Sequence, residues 1–149
     1  MRCVVQRVSS ADVTVEGKEI SRIGMGILAF LGVEEGDTER DLIYIVDKLT
    51  HLRIFEDEEG KMNRSIQEVD GSILMVSQFT LLGDARKGRR PSFIGAADPA
   101  WAKELYEKSI VMLNDRDIHT LGGIFMAMME VSLTNDGPVT ILLDSKKLF

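Results

Sequence analysis

Residues 1–15 read MRCVVQRVSSADVTV, and the alternation in this stretch points to a molecule built on strands. Apolar residues recur at every second position, with Val13 and Val15 on one face, which is the period of a half-buried strand. The pattern predicts two strands, over 2–8 and 12–16. It lacks the successive charged, apolar and small-residue regions of a signal peptide.

Working outward, EGKE is a turn into a third strand around EISRI, and MGILAFLGV is an apolar run short enough for a buried strand. Thr38 and Asp41 form a capping box. Leu42, Ile45, Val46, Leu49 and Leu52 then repeat at helical spacing, predicting a helix that ends near His51. RIFEDEEGKMNRSI reads as strand, acidic turn and strand. GSILMVSQF is a strongly apolar strand, followed by a loop over 82–97. Asp98 and Pro99 supply the cap and first turn of a second helix, on which Trp101, Leu105, Ser109 and Met112 share a face. The chain returns to strands after Asp115. IFMAMMEV, 124–131, is compatible with either helix or strand, and Met126, Met128 and Met129 read as core filler. TNDGPVT, 134–140, reads as a hairpin tip with a strand-initial proline. Together these elements predict one α+β domain over 1–149, with mostly antiparallel strands in a barrel-like sheet covered by two main helices.

The chain has 149 residues, 44% hydrophobic and 28% charged, as in a globular protein, and no apolar run approaches bilayer length. A cytoplasmic location is expected, without membrane contact. A lone Cys3 on an apolar strand is a packed thiol rather than a nucleophile. His51 and His119 stand apart with no partner at ligand spacing, so neither a metal nor a cofactor is expected. The net charge of −6 argues against general charge-driven binding of nucleic acid, and no DNA partner is expected. Positive charge is nevertheless concentrated in RKGRR, 86–90. Removing its four cations, Arg86, Lys87, Arg89 and Arg90, leaves −6 − 4 = −10 for the remainder. An arginine-rich loop with a glycine, abutting Pro91, suits bidentate phosphate contacts.

VSQFTLLG, 76–83, gathers polar groups at a strand end directly before that loop. Strand alternation sets Ser77 and Phe79 on one face and Gln78 and Thr80 on the other. No Ser-His-Asp or Cys-His set can be assembled. A ligand at this strand end would lie within reach of the arginines for its phosphates.

MRCVVQRVSSADVTV, LRIFEDEEGKMN, VSQFTL, RKGRRPSF and VSLTNDGPVTILLDS resemble, in order and spacing, the D-aminoacyl-tRNA deacylases. The resemblance spans nearly the whole chain, and SQFT with NxGPVT and RKGRRPSF is a specific combination. It implies a homodimer that hydrolyses the ester joining a D-amino acid to the terminal ribose of tRNA and spares L-amino acids; if an L side chain is refused by collision with backbone, glycine, which has none, is expected to be cleaved as well. It also implies a cis Gly137-Pro138 bond, in a turn that enters the partner subunit's pocket and takes the substrate's α-amino group on its carbonyl oxygens. Arg7 would support that turn, and Phe125 and Met129 would border the pocket. Ser77, Gln78, Phe79 and Thr80 would form the catalytic segment, with the Phe79 and Thr80 N–H groups facing the oxyanion and water as the nucleophile in preference to Thr80. Arg86, Lys87, Arg89 and Arg90 would hold the tRNA. One departure stands out: the family's Thr-Gly-x-Phe-Gly-Ala pattern is GGIFMA here, with Gly122 for threonine and Met126 for glycine. The rival expectation is a non-catalytic module that binds the tRNA acceptor end.

Overall fold

A computed structural model describes all of residues 1–149. Its spine is one long strand, β1 (Arg2–Val15), where two were expected. The strand continues because it pairs antiparallel along its whole length with β8 (Glu130–Asp144), from Arg2 opposite Asp144 to Thr14 opposite Glu130. Two register shifts, at Gln6/Val8 and Val8/Ser10, let β1 change face part-way. Cys3 and Val5 consequently enter the larger core while Val8, Ala11 and Val13 enter a second one. What reads as a gap between strands is a change of side.

On its other edge β1 pairs with β2 (Lys18–Ile23) and β3 (Gly26–Gly32), both antiparallel. β3 leads through α1 (Glu39–His51) and the small hairpin of β4 (Phe55–Glu56) and β5 (Met62–Arg64) to β6 (Ser72–Ser77). From β6 the chain runs through α2 (Pro99–Asn114) to β7 (Thr120–Gly122). β6 pairs parallel with both β3 and β7, since each connection carries a helix across the sheet. The Ser21 hydroxyl donates to the Gly122 carbonyl at 3.0 Å, tying β2 to β7. The sheet thereby curls nearly closed, barrel-shaped, with both helices on its outside.

Both helices start where expected. Thr38 and Asp41 form the reciprocal capping box of α1, and the Asp98 carboxylate accepts from the Ala100 N–H at the start of α2. Leu42, Ile45, Val46 and Leu49 of α1 and Leu105 of α2 pack on Ile27, Ala29, Ile73 and Met75 of the sheet. No helix is long and apolar enough to cross a membrane.

Two other expectations change. IFMAMMEV is neither helix nor strand at its start, because Ile124–Ala127 forms a β-turn closed by the Ala127 N–H on the Ile124 carbonyl. Met126 and Met128 are 76% and 92% exposed and so are not core filler. The TNDGPVT segment is no hairpin tip either. Val8 faces Asn135 and Gln6 faces Thr140, so Asp136–Val139 bulges from a strand that rejoins the same partner in the same direction. A hairpin would have reversed the chain; here the apolar runs on both sides belong to β8.

Candidate active site

β6 ends at Ser77, and the Gln78 N–H still donates to the Leu31 carbonyl of β3 at 2.8 Å. A single 3₁₀ turn, Phe79–Leu82, follows at once. Strand alternation therefore stops at Ser77, and Ser77, Gln78 and Phe79 all line one cavity of about 600 Å³ rather than dividing between two faces. Phe93, Phe125 and Met129 line the same cavity, which is otherwise apolar. Phe79 and Phe93 meet edge to face, with ring centroids 5.1 Å apart. Thr80 stands outside the lining but accepts a hydrogen bond from the Gln78 side-chain amide. The Leu81 N–H donates back to the Gln78 carbonyl at 3.2 Å, so Phe79 and Thr80, the first two residues of the turn, have no carbonyl within it to donate to.

Phe125 is held from behind by Tyr106, ring centroids 5.9 Å apart. The Tyr106 hydroxyl donates to the Met75 carbonyl at 2.9 Å, and burial pushes its pKa up to about 12. This ring explains Gly122. A Cβ there would lie 2.8 Å from the Tyr106 oxygen and 2.6 Å from Ile110 Cδ1, so a threonine would require both side chains to shift. Met126 has φ +63°, the left-handed value that a turn of this kind requires at its third residue and that suits glycine. Its side chain lies on the cavity wall.

Arg7 is 5% exposed, not a surface charge. Its guanidinium donates from Nη1 to the Ile54 carbonyl at 2.7 Å and from Nε to the Asp136 carbonyl at 3.0 Å. The Asp136 carboxylate lies 3.3 Å from the same Nε. The bulge is thus fastened to the β4–β5 side of the molecule through one buried cation. The Gly137-Pro138 bond is cis, and Gly137 has φ +126°. Across the neck of the bulge, the Val139 N–H donates to Asn135 Oδ1 at 2.8 Å. Neither Gly137, Pro138 nor Arg7 lines the cavity of its own chain.

The basic loop lies elsewhere again. Asp84 and Ser92 exchange two backbone hydrogen bonds, at 2.8 and 2.9 Å, that close it. Arg86 makes a two-pronged contact with Asp84, at 2.8 and 2.7 Å, and holds that carboxyl well below the usual carboxylate range. Lys87, Arg89 and Arg90 are exposed and make no ion pair. Arg86 faces a second, polar cavity that also takes in Arg2, Glu34 and Ser92. The chain around Phe79–Gly83 and Ser92–Ala96 borders both cavities. Cys3 is buried, its thiol pushed up to about 12 by desolvation, and both histidines sit on the surface away from the cavity.

Sequence reasoning missed Phe93 and Asn135. Phe93 had no signal beyond an aromatic beside a basic run. Asn135 was legible only as a turn former, although an asparagine four residues before an N–H that follows a proline is placed to accept from it.

A model of the D-Tyr-tRNA(Tyr) deacylase family matches residues 4–144. The chain belongs to that family. It is 58% identical to the D-aminoacyl-tRNA deacylase of Desulfitobacterium hafniense and 57% to that of Kosmotoga olearia, over the full length of both chains in each case. The deacylase of Thermus aquaticus is 53% identical, covering 99% of this chain and 97% of its own. Among solved structures, one described as the c-Myc DNA unwinding element binding protein superposes with TM-score 0.91 at 42% identity, covering 97% of this chain and 98% of its own. A probable eukaryotic D-amino acid tRNA deacylase shares the fold, with TM-score 0.80 at 20% identity over 95% and 97% of the two chains. The resemblance drawn from the motifs holds, and with it the expectation of a hydrolytic enzyme over a binding module.

Proposed function

We propose that this chain hydrolyses the ester of D-aminoacyl-tRNA, and of glycyl-tRNA, as a cytoplasmic homodimer that spares L-aminoacyl esters. The observation that carries the reading is the pair of N–H groups at Phe79 and Thr80 that the 3₁₀ turn leaves unused, beside a cavity with few other polar groups. A developing oxyanion placed on them would gain a few kcal/mol of transition-state stabilisation, on the order of a 10²-fold rate effect or more. An aminoacyl ester is already activated, so positioned water suffices as the nucleophile, held by Gln78 and Thr80. Ser77 completes the polar edge. The apolar remainder, with Phe125 and Met129, takes the substrate's less polar parts.

A second copy supplies the chiral gauge. Within one chain the Gly137-Pro138 turn lies off the cavity, exposed and stiffly braced by Arg7, which suits a part that serves a neighbouring subunit. Its carbonyls fix the ammonium and the Phe79–Thr80 segment fixes the ester, so an L side chain is directed into protein. Glycine meets no such wall and is cleaved. Arg86, Lys87, Arg89 and Arg90 position the tRNA through its phosphates.

The test compares D-tyrosyl-, glycyl- and L-tyrosyl-tRNA on one tRNA body at limiting enzyme. Release of the first two with the third intact supports the reading. Binding without release would instead make the protein a non-catalytic acceptor-end module, and persistence of the glycyl ester would show that selectivity comes from attracting a D side chain.

A further inference from the structure

Asp136–Val139 stands opposite Arg7 alone, so the ladder between β1 and β8 is broken over four residues. Two side chains replace the missing rungs. Arg7 holds the buried side of the bulge at the Asp136 carbonyl. On the other side, Asn135 uses both ends of its amide: Oδ1 accepts from the Val139 N–H at 2.8 Å, and Nδ2 donates to Thr140 Oγ1 at 3.1 Å. Gln6 Nε2 reaches the same hydroxyl at 3.3 Å, joining the neck to β1. Pro138 has no N–H, so Val139 offers the first donor after the turn, and Asn135 takes it.

We infer that Asn135 is a positioning residue for deacylation: its side-chain amide draws the neck of the bulge together and so fixes the direction of the Gly137 and Pro138 carbonyl oxygens. The inference rests on the reading that these carbonyls take the substrate ammonium. The two ties have different tasks. Between the flanking rungs, Arg7 anchors the Asp136 end of the segment to the core, and the Asn135–Val139 bond holds the end that follows Pro138. Carbonyls that hold the ammonium in both the bound ester and the transition state contribute to KM more than to kcat.

The experiment uses the full-length protein with D-tyrosyl-, glycyl- and L-tyrosyl-tRNA, and the variants Asn135→Ala, Asn135→Asp, Thr140→Val and Gly137→Ala. Asn135→Ala is expected to raise KM for the D ester about tenfold with kcat within about twofold, and to narrow the ratio of D to L cleavage. Asn135→Asp keeps an acceptor for Val139 and is expected to restore KM to within about threefold of the parent. Thr140→Val, which leaves the Val139 bond intact, is expected to fall between them. Urea midpoints accompany the kinetics, because a merely structural asparagine would lower stability without moving KM or the D to L ratio, and that result overturns the inference. If Gly137→Ala is impaired while Asn135→Ala is silent, the turn keeps its place at the substrate and the Asn135 assignment fails alone. If Gly137→Ala is itself silent, the reading of the turn fails and this inference falls with it.

Discussion

The Gly-Pro bulge and the arginine loop are both exposed irregular segments, yet they are built in opposite ways. The bulge projects from the longest strand pair and is tied at each end by Arg7 and Asn135. The loop is closed by one pair of backbone bonds between Asp84 and Ser92, and three of its four cations make no ion pair. A stiff segment can hold atoms where geometry is read. A loose, charged one can only attract and orient. In the function proposed above, chirality belongs to the first kind of element and phosphate binding to the second.

The difference breaks first at Arg7. Arg7→Ala strips the donors from the Ile54 and Asp136 carbonyls, at about 1–3 kcal/mol for each group left unsatisfied. A loss of about 3 kcal/mol in urea unfolding is expected, together with loss of activity. Gly137→Ala comes next and acts on rate rather than on fold. Its Cβ would lie 2.8 Å from Val139 Cγ2 and 3.0 Å from Arg7 Nη2, at φ +126°. We expect kcat/KM on D esters to fall about 100-fold, close to 2.7 kcal/mol, with Arg7→Ala the more destabilised of the two in urea.

A third test asks whether the strand beneath the bulge is as closed as it looks. Cys3, four residues from Arg7 on β1, titrates near 12 when folded against an ordinary 9.0, through desolvation. The unfolded chain therefore releases this proton first as pH rises, and the stability is intact below pH 9.0 and lost progressively toward 12. Between pH 8 and 10.5 the parent should lose about 2 kcal/mol more than Cys3→Val, at 1.36 kcal/mol per pH unit. Equal slopes would mean that the thiol is reached by solvent.

For the loop, neutralising Arg86, Lys87, Arg89 and Arg90 together should raise KM about tenfold, leave kcat and the urea midpoint near the parent's, and flatten the salt dependence. A fall in kcat at unchanged KM would give the loop a part in chemistry and erase the contrast. The smallest effect is expected at Met126. Met126→Gly relieves a left-handed backbone worth about 1 kcal/mol while adding unfolded-chain entropy of similar size, so its unfolding curve should overlay the parent's within about 0.5 kcal/mol. Met126→Val should be visibly less stable.

Legibility in the sequence followed the range of the forces involved. The capping box at Thr38 and the Asp98-Pro99 start are local, and both were readable from three or four residues. Alternation in β1 was readable too, but its change of face near Ser9 depends on what β8 presents across the ladder, so one strand looked like two. TNDGPVT misled for the same reason: a turn and a bulge share their residues, and only the partner strand decides between them. At the site, SQFT and the arginines were marked by composition and by resemblance to the family. Which side chains share a cavity was not, because alternation fails at the step from β6 into the 3₁₀ turn. Gly122 had no reason visible in sequence; its neighbour Tyr106 is 16 positions away, on another element.

The bulge has a consequence for how such a protein changes over time. Because the chain leaves β1 after Asn135 and rejoins it at Thr140, the segment between is an insertion into a finished sheet and carries none of its connectivity. Its residues can be exchanged while the rungs on either side, Asn135 with Val8 and Thr140 with Gln6, stay paired. The scaffold thus offers a socket, and new selectivity can be tried there by exchanging a few residues while the rest of the molecule goes on folding as before.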